Sequence, residues 1–262
     1  MRMKRVGLAA AAAVMLAGVA DDSARAEQPG TAATNALSGE QRRDVENLIR
    51  DYLLNNPEVI LESVRAYQAK REVQAEESSR AALAANRSQL DDDPMTPQAG
   101  NPKGDVTIVE FFDYNCGYCK RMLPALQEVL ATDKQVRYVF KEYPILRPDS
   151  ETAARAALAV WKLAPDKYLP FHVALMGGRG ELSEERIFKA AEPLGIDRAK
   201  LRATMDDPAI REALRRNHQL GQILNINGTP AFIVGDQLQP GAVDVAALRE
   251  MIAKARNAGR PG

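Results

Sequence analysis

Two cysteines occur in the 262-residue chain, and they stand three positions apart, as Cys116-Gly117-Tyr118-Cys119. Immediately before them runs Val106-Thr107-Ile108-Val109-Glu110-Phe111-Phe112, β-branched or aromatic at nearly every position. That is the composition of a strand buried on both faces. Lys120 to Ala131 then reads as a helix and Val136 to Phe140 as a second strand. A buried strand, a tight turn, a helix and another strand form an α/β unit in which the helix covers the sheet. A Cys-x-x-Cys turn at such a junction brings both sulfurs within disulfide reach. It also puts Cys116 at the helix N-terminus, where unpaired N–H groups and the helix dipole favour negative charge. Cys116 is therefore expected to be a nucleophilic thiolate, with Cys119, one turn inward, as the buried resolving thiol. At pH 7 an ordinary cysteine is only about 3% thiolate, and one lowered to a pKa of ~5 is about 99%. The same depression weakens the sulfur as an attacking group and improves it as a leaving group.

The first residues read as an export signal. Arg2, Lys4 and Arg5 make a positive start, Val6 to Ala20 is an uncharged apolar run, and Ala24-Arg25-Ala26 is an A-x-A cleavage signature. The run falls short of the ~20 apolar residues that span a bilayer. Cleavage after Ala26 would deliver the chain to the periplasm. The whole chain balances 35 basic against 35 acidic residues. Loss of Arg2, Lys4, Arg5, Arg25, Asp21 and Asp22 leaves the remainder at a net charge of −2. A balance of this kind argues against a nucleic-acid partner. An exported chain of this size needs no staple, so a single close cysteine pair points to chemistry rather than to bracing.

Residues 27–93 are expected to form an N-terminal helical segment after a small, polar leader. Val45, Leu48, Ile49, Tyr52 and Leu53 recur at helical spacing, Asn55-Asn56-Pro57 breaks the pattern, and a helix of roughly 30 residues follows from Glu58 to about Leu90, about 45 Å long. Its apolar face starts at Val59, Ile60, Val64 and Tyr67 and thins to alanines. Such a segment holds no core of its own. It reads either as an oligomerisation stalk or as a solvated spacer. Residues 94–104, with three prolines and two glycines, read as a linker. The catalytic segment beyond Gly104 is expected to carry its own core. From Asp149 to Leu224 the pattern is helical. Short β signals return at Ala231–Val234 and Gln237–Gln239, and Val245 to Ala255 closes the chain as a helix. His172, His218 and Trp161 read as packing residues.

Phe111-Phe112-Asp113-Tyr114-Asn115-Cys116-Gly117-Tyr118-Cys119-Lys120 resembles the active-site segment of the DsbA-like thioredoxin family. Gly228-Thr229-Pro230-Ala231-Phe232 is similar to that family's cis-proline loop, and the helical run 149–224 to its inserted domain. Asn56 to Ile60 is similar to the start of the suppressor-of-copper-sensitivity C (ScsC) branch. The resemblance implies an α/β thioredoxin fold over residues 105–257 with a helical insertion, preceded by an N-terminal helical oligomerisation segment. It implies thiol:disulfide exchange with exported proteins, a redox-active disulfide Cys116–Cys119 in place of any separate cofactor, a membrane redox partner and a homo-oligomer. Gly117, Tyr118, Thr229 and Pro230 are implied to meet the substrate peptide, with the backbone of Thr229 as a strand edge. Glu110, six residues before Cys116 in a buried strand, is implied to take a proton from Cys119 during release. A buried ion pair with Lys141 is the alternative for that carboxyl.

The Gly117-Tyr118 dipeptide and the threonine before Pro230 are similar to the disulfide-isomerase pattern, so an isomerase or reductase is expected before a dithiol oxidase. A different class stays open. Two thiolates are a soft-metal donor pair for copper(I) or zinc, although a structural zinc site takes four ligands and no second Cys/His pair stands nearby.

Overall fold

The computed structural model describes residues 37–259. The expected signal peptide and all but the last residue of the leader lie outside them. The chain divides into two units, meeting between Glu62 and Ser63.

In the first unit, helix α1 (Gly39–Asn55) opens with a reciprocal cap. Ser38 Oγ accepts from the Gln41 amide at 3.1 Å, and Gln41 Oε1 accepts from the Ser38 amide at 2.9 Å. Asn56 ends it by donating twice to the Tyr52 carbonyl. The predicted stripe lies on this helix, where Val45, Leu48, Ile49 and Tyr52 are exposed, Leu48 to 69%, and Leu53 is half-buried. Helix α2 (Glu58–Ala85) begins after the break at Pro57.

In the second unit α2 stops earlier than the periodicity predicts. The Asn86 side chain turns back to the Ala82 carbonyl (2.8 Å), and a short α3 (Arg87–Asp91) resumes the path. Leu83 and Leu90 are wholly buried there. They join Val109, Phe111, Val139, Leu220, Leu224 and Ile233 in a core on one face of the sheet. The expected boundary at residue 93 thus falls inside the second unit, because these two leucines complete the covering of that face. The linker also departs from expectation. Gln98–Gly100 forms an edge strand, β1, antiparallel to β3 (Val136–Glu142), and Arg137 Nε donates to Gln98 Oε1 at 2.8 Å.

The sheet has the order β1-β3-β2-β4-β5, with β2 (Val106–Phe112) central and parallel to β3. Parallel neighbours need a crossover, which α4 (Gly117–Thr132) supplies. Strand β4 (Ala231–Val234) runs antiparallel to β2 and forms a hairpin with β5 (Gln237–Pro240). Helices α5 (Pro148–Leu163), α6 (Tyr168–Gly177), α7 (Glu184–Ala191), α8 (Arg198–Met205) and α9 (Pro208–Ile223) stand between β3 and β4, where the helical run was read. Helix α10 (Val245–Ala258) closes the described chain. The second face of the sheet carries Ile108, Phe112, Tyr138, Phe140 and Phe232 into a larger core with α4, α5, α6 and α10. The helical insertion and the Cys-bearing helix therefore share one hydrophobic interior. No helix among the described residues is long and apolar enough to cross a membrane.

Candidate active site

Strand β2 delivers the chain to a turn held by one carboxylate. Asp113 Oδ1 accepts from the Asn115 amide (2.7 Å) and the Ser150 hydroxyl (2.8 Å). Its Oδ2 accepts from the amides of Ile145 and Leu146, each at 2.9 Å. Asn115 in turn donates to Asp149 and Ser150. The loop before the cysteines is thereby tied to the loop after β3 and to the start of α5. Sequence reasoning passed over Asp113, Asn115 and Ser150. The legible signal was an Asp three residues before a helix N-cap, the composition of an Asx turn.

Helix α4 begins at Gly117, three residues before its predicted start, and Cys116 is its N-cap. The Cys119 amide donates to Cys116 Sγ at 3.1 Å, and that thiol donates to the Thr229 carbonyl at 3.2 Å. The Thr229–Pro230 bond is cis, as the resemblance implies. Four of the predicted residues, Cys116, Cys119, Thr229 and Pro230, thus come together from the two ends of the sheet sequence. Gly117 and Tyr118 lie in the exposed first turn of α4. Tyr118 is 59% exposed, with the Arg121 guanidinium 4.0 Å from its ring centroid.

The two sulfurs are electrostatically unlike. Donation from the Cys119 thiol lowers Cys116 to about 6, against the opposing cost of burial. The Thr229 side chain and the amides of Cys119 and Tyr118 lower it further. Burial pushes Cys119 far above the ordinary thiol range, reinforced by its bond to Cys116 and by the charge of Glu110. One sulfur is poised as a thiolate and the other is held as a thiol.

Glu110 is buried beneath the pair, and burial raises it to about 7. The Tyr138 hydroxyl, donating to Oε2 at 2.6 Å, opposes the rise, and the charge of Cys116 adds to it. The alternative ion pair with Lys141 does not form. Glu110 lies opposite Phe140 and Lys141 opposite Phe111, so strand alternation sends the two charges to opposite faces. Wholly buried Lys141 donates instead to the Gln89 carbonyl (2.6 Å) and Thr96 Oγ1 (2.7 Å), and burial lowers it to about 8.

A further buried carboxyl, Glu142, was missed from sequence. Its Oε1 accepts from the hydroxyls of Tyr114 (3.1 Å) and Tyr168 (2.8 Å). His172 packs edge-on to Phe112 at 4.9 Å, and burial lowers it to about 3, so it is a neutral packing residue as read. His218 stacks obliquely on Tyr143, and Trp161 packs at the rim of the larger core while donating to the Pro94 carbonyl.

Residues 107–253, more than half of the chain, match the DSBA-like thioredoxin domain, and residues 41–74 match the copper resistance protein ScsC N-terminal domain. A thioredoxin-like oxidoreductase from Silicibacter pomeroyi is 43% identical and superposes with a TM-score of 0.64, covering 66% of this chain and 99% of that one. ScsC from Proteus mirabilis, in a transitional conformation, is 32% identical with a TM-score of 0.64, covering 85% of this chain and all of that one. Disulfide bond formation protein D of Bacillus subtilis is 27% identical over 168 residues, 60% of this chain and 76% of that protein. This chain also matches part of larger proteins, and it spans about a quarter of the length of the Salinispora Na(+)/H(+) antiporters it resembles. The matched domain, the cis-proline loop facing an N-capping cysteine, and the N-terminal segment agree: the chain belongs to the DSBA-like thioredoxin family, on its ScsC-like branch.

Proposed function

We propose that this protein is an exported thiol:disulfide oxidoreductase that exchanges disulfides with exported proteins, acting as an isomerase or reductase. The observation that carries the reading is Cys116 Sγ lying between the Cys119 amide and the Thr229 carbonyl, with a lowered pKa. In the reaction the Cys116 thiolate attacks one sulfur of a client disulfide, and the other client sulfur leaves as a thiolate. The mixed disulfide then has two exits. A second client thiolate can attack the client sulfur, expelling Cys116 and leaving the client re-paired with no net electron transfer. Alternatively Glu110 takes the proton of Cys119, and Cys119 attacks Cys116 Sγ. This forms Cys116–Cys119, expels the client sulfur and leaves the client reduced by two electrons. Glu110, raised to about 7, is matched to that proton transfer near neutral pH. The cysteine pair itself carries the electrons, and a dithiol on a membrane redox partner returns it to the reduced state. Gly117, Tyr118 and the Thr229–Pro230 loop form the face that meets the client.

The same steps run backwards make a dithiol oxidase, and the stabilised Cys116 thiolate favours that direction when clients are reduced. Equilibration of the protein against glutathione, together with reactivation of a scrambled disulfide substrate, tests the assignment. Reactivation without added oxidant is expected, and its absence alongside rapid thiol oxidation overturns the isomerase reading in favour of the oxidase. For copper(I) or zinc, one chain offers two thiolates, and no group of three or more His, Cys, Asp or Glu side chains gathers to hold a metal among the described residues.

We also infer that copies of the chain associate through α1. Its apolar side chains Val45, Leu48, Ile49 and Tyr52 are exposed within their own unit, and a second copy of the same stripe covers them with the least cost in specificity. Export and cleavage after Ala26 rest on the charged, apolar and A-x-A stretches at the start of the chain.

A further inference from the structure

Glu142 is the last residue of β3 and lies opposite Phe112, so its side chain enters the interior shared by the sheet and the helical insertion. A buried carboxyl costs several kcal/mol unless it is bonded or paired. The titratable groups facing this one are Glu110 of β2, Asp113 and Tyr114 of the cysteine turn, and Tyr168 of α6. His172 of α6 reaches the same cluster through Tyr114, whose hydroxyl lies 3.3 Å from Nδ1. None of these is a cation, because His172 is neutral. Burial pushes Glu142 well above the usual carboxylate range, and the neighbouring acids add to that. The residue therefore acts as a neutral acid that gathers hydrogen bonds. Tyr114 and Tyr168 donate to its carboxyl, and Asn217 of α9 donates to its main-chain carbonyl at 3.0 Å.

Of these ties the one to Tyr114 reaches the cysteines. Tyr114 lies inside the Asp113–Cys116 turn, closed by the Cys116 amide donating to the Asp113 carbonyl at 3.0 Å. The Tyr114 ring is also packed edge-on to Phe112 at 5.3 Å. Without Glu142 the Tyr114 hydroxyl would keep only the longer contact to His172 Nδ1 at 3.3 Å, and the ring would shift to shorten it. The turn would move with the ring, and the Cys116 sulfur would lose its line to the Cys119 amide.

We propose that Glu142 is a positioning residue for the redox centre: through Tyr114 it fixes the turn that holds the Cys116 sulfur against the first amides of α4 and the Thr229 carbonyl. The proposal rests on the exchange function given above and deepens it, since it names the group that ties the helical insertion and the cysteine turn into one unit.

The test titrates the Cys116 thiolate in the full-length reduced protein, by alkylation rate against pH, in four variants. The other groups that face Cys116, namely Cys119, Glu110 and Lys120, stay unchanged in all of them. Glu142→Leu and Tyr114→Phe are expected to raise the midpoint by about one unit, about tenfold less thiolate at pH values below it. Glu142→Gln, whose amide oxygen accepts the same two hydroxyls, is expected to stay within about 0.3 unit of wild type. Tyr168→Phe is expected to lower stability and leave the midpoint in place. A folded Glu142→Leu protein with the wild-type midpoint overturns the proposal. If that variant does not fold, Tyr114→Phe decides: an unchanged midpoint overturns the proposal, and a raised one with Glu142→Gln near wild type supports it. Exchange of wild type with a small disulfide peptide is measured alongside, so that failure of the general function shows there while failure of the Glu142 role shows only in the titrations.

Discussion

Removing the N-terminal residues up to Asp93 should cost far more than removing those up to Glu62. A chain that starts at Pro94 lacks Leu83 and Leu90, both wholly buried against Val109, Phe111 and Val139. Full burial of one leucine contributes about 1.5–3 kcal/mol, so the pair contributes about 3–6 kcal/mol. The same cut strips the Gln89 carbonyl from Lys141, a hydrogen bond to a charged donor worth about 1.5–3 kcal/mol. The Arg216–Asp93 pair, partly solvated, adds at most about 1 kcal/mol. The loss is then about 5–10 kcal/mol, against a typical domain stability of about 5–15 kcal/mol. A chain that starts at Ser63 keeps all of these contacts. Urea unfolding followed by circular dichroism on the two truncated chains compares them directly. The chain from Pro94 should be unfolded or unfold at far lower urea, and the chain from Ser63 should be cooperative. Stabilities within about 1 kcal/mol of each other would refute the view that these two leucines and Lys141's partner belong to the catalytic core.

Alkylation of the reduced native protein should modify Cys116 alone at mildly acidic pH, with a rate that climbs through about 6. Preferential labelling of Cys119 would reverse the assignment of the two sulfurs. Cys119→Ala should accumulate mixed disulfides with client proteins on non-reducing gels, and Cys116→Ala should accumulate none; equal trapping would remove the two-step scheme. Glu110 holds its proton more tightly folded (about 7) than unfolded (4.5), so stability should fall as pH rises through that window. Relative to Glu110→Gln, reduced wild type should lose about 3 kcal/mol between about pH 4 and about pH 8 by urea unfolding, and parallel curves would contradict the shift. Light scattering should find the protein self-associated and Leu48→Asp dissociated. A chain starting at Ser63 should be monomeric, still oxidise thiols and lose isomerase activity, and a monomeric full-length protein would end the α1 association.

The central strand, the cysteine turn and the helical insertion were readable because each follows from a local rule: an apolar β-branched run, a Cys-x-x-Cys before a helix, and long 3.6-residue periodicity. The start of α4 was placed three residues late because Gly117 is a poor helix former, and the capping by Cys116 that overrides it is visible only in space. Strand β1 is Gln98-Ala99-Gly100, with no alternation to read; its partner β3 makes it a strand. The break at Asn86 depends on one side chain folding back on its own helix. At the site, Cys116 and Cys119 could be picked out directly, whereas Glu142 sits in Phe140-Lys141-Glu142, where two charges following a strand look like its solvated end. Strand register buries both, and register is a long-range property that composition does not carry.

Lys141 and Glu142 also bear on how faithfully this chain folds. They are consecutive, fully interior and on opposite faces of β3, each provided for by groups that the other could not use. If β3 slipped by one residue against β2, the ammonium would enter the cluster of phenols while the carboxyl met Val109 and Phe111. Both would then be desolvated without their partners, at several kcal/mol each. An all-aliphatic strand would tolerate the slip at little cost. These two residues work as a key that admits a single alignment of β3 on β2.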